Sequence, residues 1–219
     1  RLRADARKVR QAFYLLVYLL GSRYCDTDKL SETAWSLFGG TPKGWARVQA
    51  IVDYVHDRIR FDYMCADATR TAWDGFMQRQ GVCRDFAHLA VAFCRCMNIP
   101  ARYCTGYLGD IGIPPVPDPM DFSAWFEAYL DGRWWLFDAT RQADLDGLVR
   151  IGVGRDAAEI AFSTPWGNMQ PVNQQIRITR SDGQGSPAQR TGRAGYRHHS
   201  RHNHPLSIVC VRSRTCTDI

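Results

Sequence analysis

The sequence predicts a single α+β domain in which a cysteine-bearing helix packs on an antiparallel sheet. Two observations predict this fold class. The first half of the chain carries apolar residues at helical spacing between clear start and stop signals. The second half carries a two-residue hairpin turn between two alternating strands. The chain has 219 residues, of which 45% are hydrophobic, so it can bury one core of this kind.

Four helices are predicted in the first hundred residues. The second of them follows Thr41-Pro42, which supplies an N-cap and a proline at the first helical position. The fourth begins at or just before Cys83 and ends before Pro100, and its apolar residues form a buried stripe. The first three predicted helices are residues 28–38, 43–60 and 71–80.

The strands are predicted in the second half, at residues 101–109, 121–130, 133–138 and 171–180. Asp131-Gly132 joins the middle two as a type I′ hairpin turn. This turn fixes the register, so that Leu130 faces Arg133 and Asp138 faces Trp125. Ser123 is then the diagonal neighbour of Asp138 on the same face, with Cβ atoms about 7–8 Å apart.

The ends of the chain differ from its centre. Residues 1–25 are expected to be the remnant of an upstream segment or a linker, and residues 26–182 the core domain. Residues 183–219 contain no lysine, glutamate, phenylalanine or tryptophan and are rich in arginine, serine and glycine. Such a composition predicts a disordered basic tail.

Charge, hydropathy and cysteine spacing exclude several functional classes. The full chain has 28 basic and 22 acidic residues. Residues 176–219 carry eight arginines and two acidic residues, so the remainder has 20 basic and 20 acidic residues. The folded part is therefore neutral, and no nucleic-acid partner is expected. The longest apolar run, residues 12–20, is half of what a bilayer requires. The cysteines lack zinc-site spacing and indicate reduced thiols in a cytoplasmic protein, without a metal or cofactor.

Cys83 is the candidate nucleophile. It follows Gly81-Val82 at the start of a helix, where the helix dipole and unpaired N–H groups stabilise a thiolate, and Arg84 adds positive charge. A cysteine nucleophile also needs a base and a group that orients the base. Asp138, at the end of a strand, suits the orienting role. The predicted hairpin places no residue beside Asp138 that could act as the base.

Residues 81–108, GVCRDFAHLAVAFCRCMNIPARYCTGYL, and residues 121–140, DFSAWFEAYLDGRWWLFDAT, resemble the two motifs of the bacterial transglutaminase-like cysteine peptidases. The resemblance extends over residues 26–170 and implies a papain-like fold and acyl transfer through a thioester on protein or peptide substrates. It assigns the nucleophile to Cys83 and the orienting aspartate to Asp138. Ser123 occupies the position of the family's catalytic histidine, which puts the activity in question.

Two functional classes remain open. The chain is either a cysteine acyl-transfer enzyme, impaired or using another base, or a non-catalytic relative that binds protein through the same cleft. His88 and His56 lie outside the tail, and both are expected to be packed or hydrogen-bonded on helix faces. Trp125 is the candidate substrate-binding residue, because it shares a face with Asp138; cross-strand packing is the alternative.

Overall fold

The protein was analysed as a computed structural model, which describes residues 12–108, 121–141, 148–161, 175–180 and 206–211; only the backbone is described for the last two ranges. The chain divides into two compact units. The first comprises residues 1–106, 123–141 and 150–162, and the second comprises residues 107–122, 142–149 and 163–219. The described site residues lie in the first unit.

The four predicted α-helices are all present among the described residues. They are α1 (Thr27–Phe38), α2 (Trp45–Arg58), α3 (Ala72–Gln78) and α4 (Cys83–Cys96), and residues 12–16 are also helical. Thr71 begins α3 with a capping box, in which its hydroxyl accepts from the Asp74 N–H and the Asp74 carboxylate accepts from the Thr71 N–H. No helix in the described ranges is both long and apolar enough to span a bilayer.

The helix α4 is the centre of the core. Twelve of its fourteen residues are buried, and α1, α2 and α3 all contact it. The same hydrophobic cluster includes Phe126 and Phe137 of the sheet, so α4 lies between the other helices and the strands. A helix that is buried around its whole circumference is typical of a domain centre.

Within the described ranges, the strands form three small groups. The parallel pair β1 (Arg60–Phe61) and β2 (Gln80–Gly81) precedes α4. A four-stranded sheet has the order β5-β4-β3-β6. Its strands are β3 (Ala101–Leu108), β4 (Asp121–Leu130), β5 (Arg133–Phe137) and β6 (Leu148–Gly154). The third group pairs β7 (Gln175–Arg180) with β8 (Leu206–Val211).

The predicted hairpin register is confirmed. Leu130 pairs with Arg133, and the same offset continues to Phe126 opposite Phe137. Positive φ angles of 50° at Asp131 and 85° at Gly132 agree with a type I′ turn. β5 ends at Phe137, one residue before the predicted end.

Residues 206–211 are the described part of the segment 183–219, for which the sequence predicts a disordered tail. These residues form β8, antiparallel to β7, with Ile208 paired to Ile178. The tail is polar on average, but it contains the short segment LSIVCV, whose β-branched residues favour a strand. Residues 181–205 and 212–219 and the first four residues of the predicted strand 171–180 lie outside the described residues. So do residues 112–119, whose four prolines predict a loop.

Candidate functional site

The chain immediately before Cys83 is held by a close approach of backbone and side chain. The Gly81 carbonyl accepts from the Asp62 N–H at 2.9 Å, which joins the end of β2 to the residue after β1. A Cβ at Gly81 would lie 2.8 Å from the Cβ of Asp85 and closer still to its Oδ2. Only glycine therefore fits two residues before the thiol without moving a buried aspartate.

Asp85 holds the first turn of α4. Its carboxylate is 1% exposed; Oδ2 accepts from the Val82 N–H at 2.9 Å and from Arg70 Nη1 at 3.1 Å. Arg84 Nη2 lies 3.4 Å from Oδ1. The buried carboxylate is thus compensated by two guanidinium groups and a helix N–H, which fixes the residues on both sides of Cys83.

Cys83 is the first residue of α4 and is half-buried. It packs against a small cluster of Ala87, Tyr103 and Ala124, the last of which follows Ser123 in β4. Burial, together with the nearby Cys83, raises the pKa of Tyr103, so that its phenol is neutral beside the thiol. The nucleophile candidate is therefore adjacent to an uncharged hydroxyl-bearing ring and to the strand that carries position 123.

Asp138 follows β5 and is 3% exposed. Its Oδ1 accepts from the Thr140 N–H at 2.9 Å, and the Thr140 hydroxyl lies 2.8 Å from both carboxylate oxygens. Burial raises the pKa of Asp138, while the Thr140 bonds and His56 act to lower it. Asp138 therefore has a hydrogen-bond partner other than an imidazole.

His56 of α2 is a neighbour of Asp138 that sequence reasoning missed. Its Nδ1 lies 3.1 Å from the Ala139 carbonyl, so Nδ1 donates to the residue after Asp138. In the sequence His56 is only a residue beside an apolar stripe. Its proximity to Asp138 arises from the packing of α2 along β5, which no local pattern reveals.

His88 has the structural role that was expected for it. It is 0% exposed and stacks on Tyr24 and Tyr103, with ring centroids 5.2 and 4.8 Å away. Its Nε2 accepts from the Ala157 N–H at 3.2 Å. Burial, and secondarily Arg84, lowers the pKa of His88 to about 3. The ring is therefore neutral, and its lone pair is already engaged.

Ser123 and Trp125 both lie buried in β4, at 7% and 1% exposure. The indole of Trp125 offers no open surface, so its burial favours the packing alternative over a groove wall. Cys83, Ser123 and Asp138 occupy α4, β4 and the residue after β5. The meeting of their three side chains in one catalytic site stays a prediction. Within the described ranges no group of three or more His, Cys, Asp or Glu residues is placed to hold a metal ion.

The sequence profile of a family described as the transglutaminase-like superfamily matches residues 32–139. That range contains the helix with Cys83, the strand with Ser123, and Asp138. Residues 32–139 form a domain of the transglutaminase-like superfamily. The mixed arrangement of helices and an antiparallel sheet is the fold of this superfamily, so the predicted papain-like fold class is confirmed.

The chain is also similar to a solved structure and to curated bacterial proteins. A crystal structure from Cytophaga hutchinsonii, named as a candidate cysteine protease, is 43% identical with a TM-score of 0.65, covering 70% of this chain and 51% of that one. An uncharacterized protein of Mycobacterium leprae is 37% identical over 109 residues, 48% of this chain and 39% of the relative. One from Mycobacterium bovis is 32% identical over 151 residues, 61% of this chain and 46% of the relative. The chain thus spans about half or less of each relative's length.

Proposed function

We propose that this transglutaminase-like domain is a cysteine acyl-transfer domain acting on peptide or amide bonds. The observation that carries the proposal is the placement of Cys83 at the first residue of α4, on a backbone fixed by Gly81 and Asp85. The Cys83 thiolate attacks the carbonyl carbon and forms a thioester, and the amine leaves with a proton. Water or a second amine then attacks the thioester, releasing the acyl product and restoring the thiol.

The proton transfers are the impaired part of this cycle. Serine has no pKa near neutrality and cannot accept the thiol proton or deliver it to the leaving amine. His88 Nε2 already accepts from the Ala157 N–H, so this ring cannot take the thiol proton. We therefore expect acylation by donors with a good leaving group, and slow turnover of ordinary amides.

A non-catalytic protein-binding module is the second candidate function. The hydrogen bonds of Asp138 favour it, because Thr140 contacts both carboxylate oxygens and Asp138 does not depend on an imidazole for a partner. In this alternative the fold retains a cleft that binds a protein or peptide, and Cys83 forms no acyl intermediate.

Trapping the acyl-enzyme separates the two candidates. Mixing the protein with p-nitrophenyl acetate should release a burst of p-nitrophenol equal to the protein concentration, followed by slow turnover, and peptide mass mapping should place the acetyl group on Cys83. Cys83→Ala should abolish the burst. Cys65→Ala, which removes another half-buried thiol, should retain it. A burst that persists in Cys83→Ala contradicts the proposal.

A further inference from the structure

A loop beside the nucleophile presents two large apolar side chains to solvent. This segment, residues 62–69, is called the Tyr63 loop here. At its start the Asp62 N–H donates to the Gly81 carbonyl at 2.9 Å. At its middle Arg70 Nη1 donates to the Cys65 carbonyl at 2.6 Å and to Asp85 Oδ2 at 3.1 Å. The loop is therefore tied to residues on both sides of Cys83.

The end of the Tyr63 loop is held by the residue that follows the thiol. Arg84 Nη1 donates to the Ala68 carbonyl at 3.1 Å, and Arg84 Nη2 donates to the Asp67 carbonyl. The Asp67 carboxylate accepts from the Thr69 N–H at 2.8 Å and closes the turn. With bonds at its start, middle and end, the loop has a fixed position relative to the first turn of α4.

Tyr63 and Met64 are the exposed residues of this loop. Met64 is 92% exposed, the highest value among the large apolar side chains described, and Tyr63 is 63% exposed. Their backbone is ordered, because Asp62 Oδ1 accepts from the Met64 N–H at 2.9 Å and the Tyr63 ring packs on Phe61 at 4.9 Å. Loops that a rigid scaffold holds beside a reactive group commonly carry recognition.

The polar side chains of the same region bond to the loop itself or to Asp85. Arg70 and Arg84 donate to loop carbonyls and to Asp85, and the Asp62 and Asp67 carboxylates accept from nearby backbone N–H groups. The loop offers a bound molecule the apolar surface of its two exposed side chains, with the exposed Asp67 carboxylate on the same loop.

We propose that Tyr63 and Met64 are specificity-determining residues of the acyl-donor site, and that they select donors with a large apolar side chain beside the reacting carbonyl. The inference rests on the proposed function, because the bound molecule is the acyl-donor peptide whose carbonyl carbon bonds to Cys83. The donor peptide must pass the residues that flank the thiol. The Tyr63 loop is hydrogen-bonded to those residues. Burying the donor side chain against a thioether and an aromatic ring removes apolar surface from water.

Two chloromethyl ketones of similar size test the proposal, acetyl-Leu and acetyl-Asn chloromethyl ketone. The Cys83 sulfur displaces chloride from each, and mass mapping follows the alkylation rate at Cys83. We expect the leucine probe to react about tenfold faster, the lower end of what one apolar contact contributes to selectivity. Met64→Ser and Tyr63→Ala should each reduce this ratio while the rate with iodoacetamide, which has no side chain, stays the same.

Met77→Ser is the matched control, since Met77 is an exposed methionine on α3, at 56% exposure. It should keep the leucine preference. Equal rates for the two ketones in the unmodified protein, or a preference that survives both Met64→Ser and Tyr63→Ala, overturn the inference and leave the proposed function intact. If Cys83 reacts with neither the ketones nor iodoacetamide, the proposed function fails and the inference fails with it.

Discussion

Buried titratable side chains at single positions control the electrostatics of the site. Asp138 is buried and satisfied by Thr140, and His88 is buried between two tyrosine rings. For both groups burial is the dominant influence on the pKa, raising that of Asp138 and lowering that of His88 to about 3. The uncharged form of each group is favoured by the same physical cause, the loss of solvation.

His88 should make the folded state sensitive to acid. Its pKa is about 3 in the folded state and near the ordinary 6.5 when the chain is unfolded. Below pH 6.5 only the unfolded state takes up the proton, so the stabilising contribution is complete above that pH and is lost as the pH falls towards 3. This one group should add up to ~1.4 kcal/mol per pH unit to the slope of the free energy of unfolding.

Urea unfolding of His88→Phe at several pH values measures this contribution. The phenyl ring keeps the stacking and removes the titration, so its slope between about pH 4.5 and 6.5, below the ordinary histidine pKa, should be flatter. Tyr24→Phe keeps the histidine and a stacked ring, and should keep the wild-type slope. Parallel slopes for His88→Phe and the wild type would contradict this account of His88. They would show that the ring becomes charged at the same pH in the folded and the unfolded state.

At the scale of elements, α4 depends on the short segment that precedes it. Sequence predicted the start of α4 at Cys83, because an apolar stripe follows a glycine. It did not predict why that glycine is needed, since the reason is the approach of Asp85, whose carboxylate turns back to the Val82 N–H. The hairpin, by contrast, was predictable in full register, because Asp131-Gly132 specifies it locally.

Gly81→Ala should destabilise the domain. The new Cβ would displace the buried Asp85 carboxylate from Val82 and Arg70, and overpacking of this kind costs ~1–3 kcal/mol. Urea unfolding measures the loss, and the rate of Cys83 acylation by p-nitrophenyl acetate should fall with it. Gly40→Ala is the control, because nothing lies within 4 Å of a Cβ there. Equal losses in the two variants would contradict the role given to Gly81.

For the whole molecule, sequence predicted the elements but not the contacts between distant ones. The helices and the hairpin follow from local spacing and turn chemistry, and the superfamily follows from two motifs. The contact of His56 with Ala139 and the ion pair of Arg70 with Asp85 join residues that are far apart in the chain, so no pattern indicates them. Strand β8 did not follow from the sequence, because the composition of the tail outweighed its three β-branched residues.

We propose that this domain has the nucleophile of an acyl-transfer enzyme and lacks only the base at position 123. Turnover of a small ester or amide by Ser123→His tests it most directly. We expect hydrolysis at least ~10²-fold faster than in the unmodified protein, the lower end of the contribution of general acid–base catalysis. Ser123→Asn, which adds volume without a base, should give no gain, and Cys83→Ala in the histidine variant should abolish it.

Circular dichroism should first establish that the histidine variant is folded, because Ser123 is only 7% exposed and a larger side chain must fit there. We expect the folded Ser123→His variant to turn over faster by this factor. The gain should disappear when Cys83 is replaced. A folded variant no faster than the unmodified protein, or an unmodified protein that already turns over as fast, would contradict the proposal.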